Sequence, residues 1–276
     1  MANVLLVGCG DLGSAIAVQL HYAGHQVVGV RISAQQLPLG MLTLQIDVTN
    51  PDAKLALAQL NPEVLIYCVA ATAQTDENYY QHYVLGLQHV LQSQLNNPQL
   101  KHVMFVSSTR VYGQHEDGLI DEETLPVPND FGGSRLLEAE QLLGDFPCQS
   151  TVLRLSGIYG PARLYLVNMA KDVARWPKGN QWSNRIHRDD AAHFIAYLLT
   201  QKLSGQAIAP LYIVTDSMPT AQYEVLVWLA DRMQLHLPQV NCPPVTHGKR
   251  LSNKRLLNSG YQLKYPDYQT GYAELM

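Results

Sequence analysis

An apolar, strand-like run near the start of the sequence leads directly into a glycine-rich turn and then into a helical pattern. Residues 3 to 8 read NVLLVG, and residues 14 to 24 read SAIAVQLHYAG. The turn between them has the G-x-G-x-x-G spacing, in which the first glycine permits a tight turn, the second lets backbone approach a pyrophosphate and the third lets the helix pack on the strand. This placement predicts a dinucleotide-binding βαβ unit whose helix N-terminus faces the phosphates. The predicted cofactor contacts are Gly8, Gly10, Asp11, Leu12 and Gly13. A methyltransferase or a flavoprotein can use the same turn, so the motif alone leaves the cofactor open.

Short apolar runs alternate with helical patterns through the first half of the chain. The predicted strands are 3 to 8, 26 to 30, 42 to 46, 64 to 71, 102 to 108 and 151 to 156, and the predicted helices are 14 to 24, 51 to 60, 77 to 95 and 134 to 143. This order builds a doubly wound parallel sheet, so the fold class is α/β of the Rossmann type. We expect a dinucleotide-binding domain over 1 to 156 and a smaller, partly interleaved α/β lobe on the substrate side over 157 to 276.

Composition and charge narrow the classes of partner. The net charge of −4 comes without a basic stripe, so we expect no nucleic-acid partner. The four cysteines lack C-x-x-C spacing, which is typical of a reducing, cytoplasmic compartment. The N-terminal MANVLLVGCGDLG has no basic region of a secretory signal, and no apolar window reaches the ~18 residues of a membrane span. We therefore expect a soluble cytoplasmic protein without a membrane partner.

The end of the second predicted strand indicates which nucleotide is bound. It reads Val30-Arg31-Ile32-Ser33, and no Asp or Glu lies between Asp11 and Asp47. An arginine there attracts the 2′-phosphate of NADP, whereas a carboxylate would hold the 2′-hydroxyl of NAD. We therefore predict NADP, with NAD as the alternative and a surface arginine as the non-functional reading. The remaining expected cofactor contacts are Asp47, which could instead be a turn residue before Pro51, and Val69 and Ala70 after the fourth strand.

Several later segments resemble one known family. Residues 107 to 113, SSTRVYG, are similar to the S-S-x-x-V-Y-G element of extended short-chain dehydrogenases, the NAD-dependent epimerase/dehydratase family. LRLSGIYGP at 153 to 161, RIHRDDAA at 185 to 192 and the segment 253 to 275 resemble further elements of that family. The resemblance runs over nearly the whole chain, and it implies the Rossmann fold and a nicotinamide cofactor.

The resemblance also implies a catalytic set, from which this chain departs. The family uses Ser or Thr to bind a substrate oxygen, Tyr to transfer a proton, and Lys to lower the pKa of that Tyr and hold the ribose. These positions fall on Ser108, Phe131 and Arg135, and a phenyl ring has no proton to give. Arg135 can still donate hydrogen bonds to a ribose, but it remains a fixed cation. This pattern is similar to the atypical, YeeZ-like subgroup of the family.

Other residues could supply the proton transfer that Phe131 cannot perform, or bind the substrate. The alternative proton donors are Tyr112, Tyr159, Tyr165 and His187, each of which could instead be a packing residue. Arg163 and Arg185 could bind an anionic substrate or form ordinary surface salt bridges. Asp189 and Asp190 are adjacent at a helix start, where capping is expected rather than a metal pair, so we predict no metal site.

Three functions remain open on these observations. The first is an atypical NAD(P)-dependent oxidoreductase acting on an unidentified small molecule. The second is a non-catalytic NADP-binding redox sensor or regulator, and the third is a nucleotide-sugar-binding enzyme that uses the same cleft. We also expect a homodimer formed through the helices 77 to 95 and 134 to 143, as the resemblance implies.

Overall fold

A computed structural model describes residues 1–114, 118–236 and 241–276. The strands found there are β1 (Asn3–Val7), β2 (Gln26–Arg31), β3 (Leu42–Gln45), β4 (Val64–Tyr67), β5 (His102–Ser108), β6 (Leu119–Ile120), β7 (Ser150–Leu155), β8 (Gly157–Tyr159), β9 (Asn180–Ser183), β10 (Arg185–His187), β11 (Leu211–Val214), β12 (Thr220–Ala221), β13 (Val245–Gly248) and β14 (Arg250–Leu251). The α-helices are α1 (Asp11–Tyr22), α2 (Ala53–Leu57), α3 (Asp76–Tyr79), α4 (Gly86–Ser93), α5 (Phe131–Gly144), α6 (Tyr165–Ala170), α7 (Arg188–Leu203), α8 (Gln222–Arg232), α9 (Lys254–Asn258) and α10 (Tyr268–Ala273). A π-helix, Tyr80–Leu85, joins α3 to α4, and short 3₁₀ turns lie at Pro38–Gly40, Thr109–Val111 and Val173–Arg175.

Within these ranges, seven strands form a central sheet in the order β11-β7-β5-β4-β1-β2-β3. The pairs of β1 with β2 and with β4 are parallel, and Leu5 lies opposite Val28 on one side and Leu65 on the other. Every residue of β4 is buried, as expected for a strand that is covered by helices on both faces. The chain order reverses between β1 and β4, which creates a crevice at their carboxyl ends. The predicted doubly wound Rossmann-type sheet is confirmed.

The described residues divide into two compact units. The first unit comprises Met1–Gly113, Leu125–Arg154 and Ala192–Tyr212. The second comprises Gln114–Thr124, Leu155–Ala191 and Ile213–Met276, where described. The sequence places the domain boundary after residue 156, close to the end of β7, but it assigns the segment 192 to 212 to the smaller lobe, whereas this segment packs in the first unit.

The second unit has its own small sheet and core. Its strands pair in the order β12-β9-β13, and the helices α6 and α8 contribute apolar side chains to one buried cluster. Trp176 packs edge-on against Tyr223 in that cluster, with ring centroids 5.4 Å apart. These contacts give the second unit an apolar core of its own.

The sequence predicts one continuous helix over 77 to 95, whereas the structure interrupts it with the π-helix. The buried hydroxyl of Tyr67 donates a hydrogen bond of 2.5 Å to the carbonyl of His82, inside the π-helix. A side-chain carbon placed on Gly86 would lie 2.5 Å from the same hydroxyl oxygen. The wider π turn shifts the backbone bonding by one residue, which lets a carbonyl turn toward Tyr67.

The described ranges contain no helix that is both long and apolar enough to cross a membrane.

Candidate functional site

The glycine-rich turn after β1 has a backbone shape that only glycine accommodates at two positions. Gly8 has a φ of 98°, and a side-chain carbon on it would lie 2.5 Å from the carbonyl of Cys68 and from the nitrogen of Val69. On Gly13, such an atom would lie 2.2 Å from the carbonyl oxygen of Gly8. The turn is therefore wedged between the end of β4 and the start of α1, as the motif requires.

The middle glycine of the motif faces open space instead. A side-chain carbon on Gly10 would meet no atom within 4 Å, and Gly10 is the N-cap of α1. The first turn of α1, which Asp11 and Leu12 begin, carries N–H groups that have no partner within the helix. An open approach to a helix N-terminus fits a pyrophosphate, and Val69 and Ala70 follow β4 beside this turn.

Arg31 lies at the carboxyl end of β2, next to the glycine-rich turn. The N–H groups of Gly8 and Cys9 both donate to the carbonyl of Val30, at 2.9 and 3.1 Å. Arg31 donates from Nη2 to Gln35 at 3.0 Å, while its buried Nε has no hydrogen-bond partner among the described residues. A buried guanidinium N–H without an acceptor is unusual, because buried polar groups are normally hydrogen-bonded. The contact of Arg31 with a 2′-phosphate stays a prediction.

Two neighbouring groups have structural roles in this region. Burial raises the pKa of the Cys9 thiol to about 11, although the charge of Arg31 acts in the opposite direction. The neutral thiol donates to the carbonyl of Leu6. Asp47 accepts hydrogen bonds from the backbone and side chain of Thr49 at 2.9 and 2.7 Å, which makes it a turn residue. Its contact with an adenine stays a prediction.

The three positions of the implied catalytic set lie on two adjacent elements of the first unit. Ser108 ends β5, and its Oγ accepts a hydrogen bond of 3.1 Å from the backbone N–H of Arg110. Phe131 begins α5, where its ring meets the ring of Tyr79 edge-on with centroids 5.4 Å apart. The guanidinium of Arg110 lies over the Phe131 ring at 5.3 Å. The structure thus brings Ser108 and Phe131 into contact with the same residue, Arg110.

Arg135 lies one helical turn after Phe131 and is held by carboxylates. It donates to both oxygens of Asp76, at 2.7 and 2.9 Å, and to Glu138 at 2.8 Å. Its guanidinium also lies over the ring of Tyr80 at 4.9 Å. The hydrogen bonds to Asp76 and Glu138 raise the pKa of Arg135, and the pKa of Asp76 is lowered in turn. Arg135 is thus a fixed cation, and its contact with a ribose stays a prediction.

Arg110 contacts Ser108, Phe131 and Tyr79, and the sequence does not predict this role. Its Nε lies 3.0 Å from both carboxylate oxygens of Asp130, and its Nη1 donates to the hydroxyl of Tyr79 at 2.7 Å and to Gln74 at 3.1 Å. A side-chain carbon on Gly132 would lie 2.5 Å from the Arg110 Cζ. Arg110 occupies a variable position of the S-S-x-x-V-Y-G element, so the motif assigns it no role.

A buried ion pair fixes α5 against the sheet. Arg154 of β7 donates to both oxygens of Glu140 on α5, and the two side chains are only 6% and 7% exposed. Ser107 also donates to Glu140, at 2.6 Å, and Arg154 donates to the hydroxyl of Tyr112 at 2.6 Å. Tyr112 is completely buried in this network. The structure therefore explains Tyr112 as a packing and hydrogen-bonding residue, and its role as a proton donor stays a prediction.

The remaining alternatives lie in the second unit. Tyr159 is buried against Tyr272, with centroids 4.4 Å apart, whereas Tyr165 is 69% exposed. His187 is buried, which lowers its pKa, and its Nδ1 accepts from the N–H of Asp189. The other side chains named in the sequence are placed as follows: Asp190 accepts from the backbone of Lys264 and Tyr265, Arg185 is buried and donates to Ser183, and Arg163 is half-buried. Over residues 1–114, 118–236 and 241–276 no group of three or more His, Cys, Asp or Glu side chains could hold a metal.

Comparisons with known proteins agree on one family. The model of the NAD-dependent epimerase/dehydratase family matches residues 4–209. A solved structure from Methylobacillus flagellatus, provisionally described as an NAD-dependent epimerase/dehydratase, is 48% identical, with a TM-score of 0.91 over 99% of this chain and 97% of that one. The UDP-glucose 4-epimerase of Thermus thermophilus in complex with NAD is 20% identical, with a TM-score of 0.79 over 98% and 96% of the chains. The Bordetella bronchiseptica enzyme WbmH in complex with NAD⁺ is 16% identical, with a TM-score of 0.76 over 98% and 96%.

The two more distant structures share the fold, while the family model and the Methylobacillus protein also share the sequence pattern over most or nearly all of the chain. Proteins with curated descriptions gave no match. With its strand order, glycine-rich turn and SSTRVYG element, the chain belongs to the NAD-dependent epimerase/dehydratase family.

Proposed function

We propose that this protein is an NADP-dependent oxidoreductase of the epimerase/dehydratase family, acting on a small molecule without the usual tyrosine acid-base. The observation that carries the proposal is the contrast between an intact dinucleotide turn and a phenylalanine at position 131. When bound, a nicotinamide cofactor supplies the hydride. The protein supplies the groups that orient the cofactor and the substrate and move the proton.

The cofactor assignment rests on residues of the first unit. Gly10 and the first turn of α1 would hold the pyrophosphate, and the buried N–H of Arg31 would donate to a 2′-phosphate. Two structural relatives are complexes with NAD, which supports a nicotinamide dinucleotide in general. The preference for NADP rests on Arg31 alone.

Exchanging Arg31 for a carboxylate tests the cofactor assignment. We expect Arg31→Asp to weaken NADPH binding about 100-fold, since it replaces charge-assisted hydrogen bonds with repulsion, and to change NADH binding much less. Fluorescence titration with both nucleotides measures the two affinities. Arg175→Asp, the same charge change at an exposed position of the second unit, serves as the matched control. Equal losses for NADPH and NADH in Arg31→Asp would contradict the assignment.

The second candidate is a redox sensor that binds NADP without turnover. The arrangement of Arg135 favours it, because Asp76 and Glu138 already engage the guanidinium that would otherwise hold a ribose. Consumption of NADPH in the presence of a broad carbonyl panel separates the two candidates. Nucleotide sugars belong in that panel, because one structural relative is a UDP-glucose 4-epimerase. Light scattering of the same preparation tests the expected homodimer.

A further inference from the structure

We propose that the hydroxyl of Tyr79, held by Arg110, is the proton-transfer group of this site. This proposal rests on the proposed oxidoreductase function. It assigns to Tyr79 the proton transfer that the phenylalanine at position 131 cannot perform. Tyr79 lies on α3, outside the segments that resemble family motifs.

Tyr79 places a phenol next to the vacated position. It is the last residue of α3, and its ring touches the ring of Phe131 edge-on at 5.4 Å. Its hydroxyl accepts from Arg110 Nη1 at 2.7 Å and donates to the side-chain oxygen of Gln74 at 3.2 Å. Tyr79 itself is only 6% exposed, whereas Gln74 is exposed, so a substrate oxygen would reach the phenol by displacing the Gln74 amide as the acceptor of the Tyr79 proton.

Arg110 gives this phenol the electrostatic support that proton transfer needs. A guanidinium that donates to the phenol oxygen stabilises the negative charge that this oxygen gains as its proton leaves. Asp130 fixes the guanidinium from the other side through Nε. Ser108 accepts from the backbone of Arg110, which leaves the Ser108 hydroxyl proton for a substrate oxygen.

The backbone near Tyr79 and Arg110 has two features that accommodate their contact. The π-helix begins directly after Tyr79, and π segments inside helices are frequent at functional sites. On the facing helix, Gly132 leaves the space that the Arg110 guanidinium fills. Phe131 and Gly132 on α5 therefore pack against Arg110 and Tyr79. In this arrangement the phenol comes from α3 instead of α5.

A bound reduced nicotinamide would supply the hydride for the new C–H bond at a substrate carbonyl carbon, so the substrate would be reduced and the nicotinamide oxidised. The electron pair of the broken C=O π bond remains on oxygen, which takes the proton from the Tyr79 hydroxyl. Solvent then returns a proton to the Tyr79 oxygen, and the product is an alcohol.

The experiment removes only the hydroxyl. We expect Tyr79→Phe to lower kcat for carbonyl reduction by at least about 100-fold, the usual contribution of a general acid, while the NADPH affinity and the melting temperature stay near the wild-type values. Tyr80→Phe is the matched control, since it removes a hydroxyl from the adjacent residue and keeps the ring under Arg135. A second readout uses fluorotyrosine-labelled protein without nucleotide, in which the ¹⁹F resonance of Tyr79 should shift when a substrate of the wild type is added.

Moving the phenol back to the family position sharpens the test. The double variant Tyr79→Phe with Phe131→Tyr should recover part of the lost kcat, because the new phenol would lie beside the same guanidinium. Wild-type turnover that persists in Tyr79→Phe would overturn this inference alone. A wild type that binds NADPH but reduces nothing in the panel would overturn the proposed enzyme function, and the inference with it.

Discussion

The glycine-rich turn and the start of α5 belong to the same unit, and they differ in how closely they follow the pattern that the family resemblance implies. In the turn, the contacts of Gly8 and Gly13 with neighbouring backbone admit no side chain, so the tight backbone geometry of the motif is intact. At the start of α5, Phe131 and Arg135 replace the implied Tyr and Lys, while the helix itself begins with a complete cap from Asp130. The backbone geometry of the glycine-rich turn cannot be supplied by another part of the chain. A proton-transferring hydroxyl can be supplied by a side chain on a neighbouring element. The proposed function therefore predicts that dinucleotide binding and proton transfer are separable on this fold.

Buried contacts of α5 with the central sheet hold this helix in place, whichever residue stands at position 131. Glu140, on the same helix as Phe131, is tied to β7 through Arg154 and to β5 through Ser107. The position of α5 is therefore fixed by buried ionic contacts that do not depend on the residue at 131.

The largest effect is expected from breaking these buried contacts. Arg154→Met leaves the Glu140 carboxylate buried without its partner and should lower the free energy of unfolding by about 3 to 5 kcal/mol. Urea denaturation measures the change. Adding Glu140→Met to the same protein should restore part of the stability, because the unpaired charge is then gone.

Arg135→Met is the control for this prediction, since Arg135 also forms ion pairs from α5 but at the exposed surface. Its effect on stability should be much smaller, because exposed ion pairs are screened by solvent. Equal losses of stability in the Arg154 and Arg135 variants would show that the buried pair is not what fixes α5.

A smaller effect is expected from pH, through the first residue of β5. Burial, assisted by the positive charge of Lys202, lowers the pKa of His102 to about 4, and its Nε2 lies 3.0 Å from Thr151 Oγ1 on β7. The folded state therefore holds the neutral imidazole, while the unfolded chain binds a proton below its ordinary pKa of 6.5. The contribution to stability is complete above pH 6.5 and is lost as the pH falls to about 4, by up to about 3 kcal/mol.

His102→Gln, which cannot titrate, should flatten this part of the stability curve. Unfolding free energies between pH 8 and pH 4 check the prediction, with the values at pH 8 as the internal reference. A slope between pH 6.5 and pH 4 that equals the wild-type slope would show that His102 does not carry this dependence.

The sequence predicts the sheet and the glycine-rich turn. It does not predict the contacts of Arg110 with Tyr79 and Phe131. Apolar runs and glycine spacing predict the sheet and the turn after β1, because both depend on neighbouring residues in the chain. The π-helix depends on the hydroxyl of Tyr67 from a distant strand. The role of Arg110 depends on contacts with Tyr79 and Asp130, which lie 31 and 20 residues away. The helix α5 begins before the predicted residue 134, at Phe131, because Asp130 caps it.

The independence of nucleotide binding from the residue at position 131 can be measured in one titration of three proteins with NADPH. Gly10→Val adds a side chain where the structure has open space, so the melting temperature should hold while NADPH binding falls about 100-fold. Phe131→Tyr should leave the NADPH affinity within about threefold of wild type, the smallest effect expected here. If Gly10→Val binds NADPH as well as the wild type does, or if Phe131→Tyr loses as much affinity as Gly10→Val, the two regions are not separable in this way.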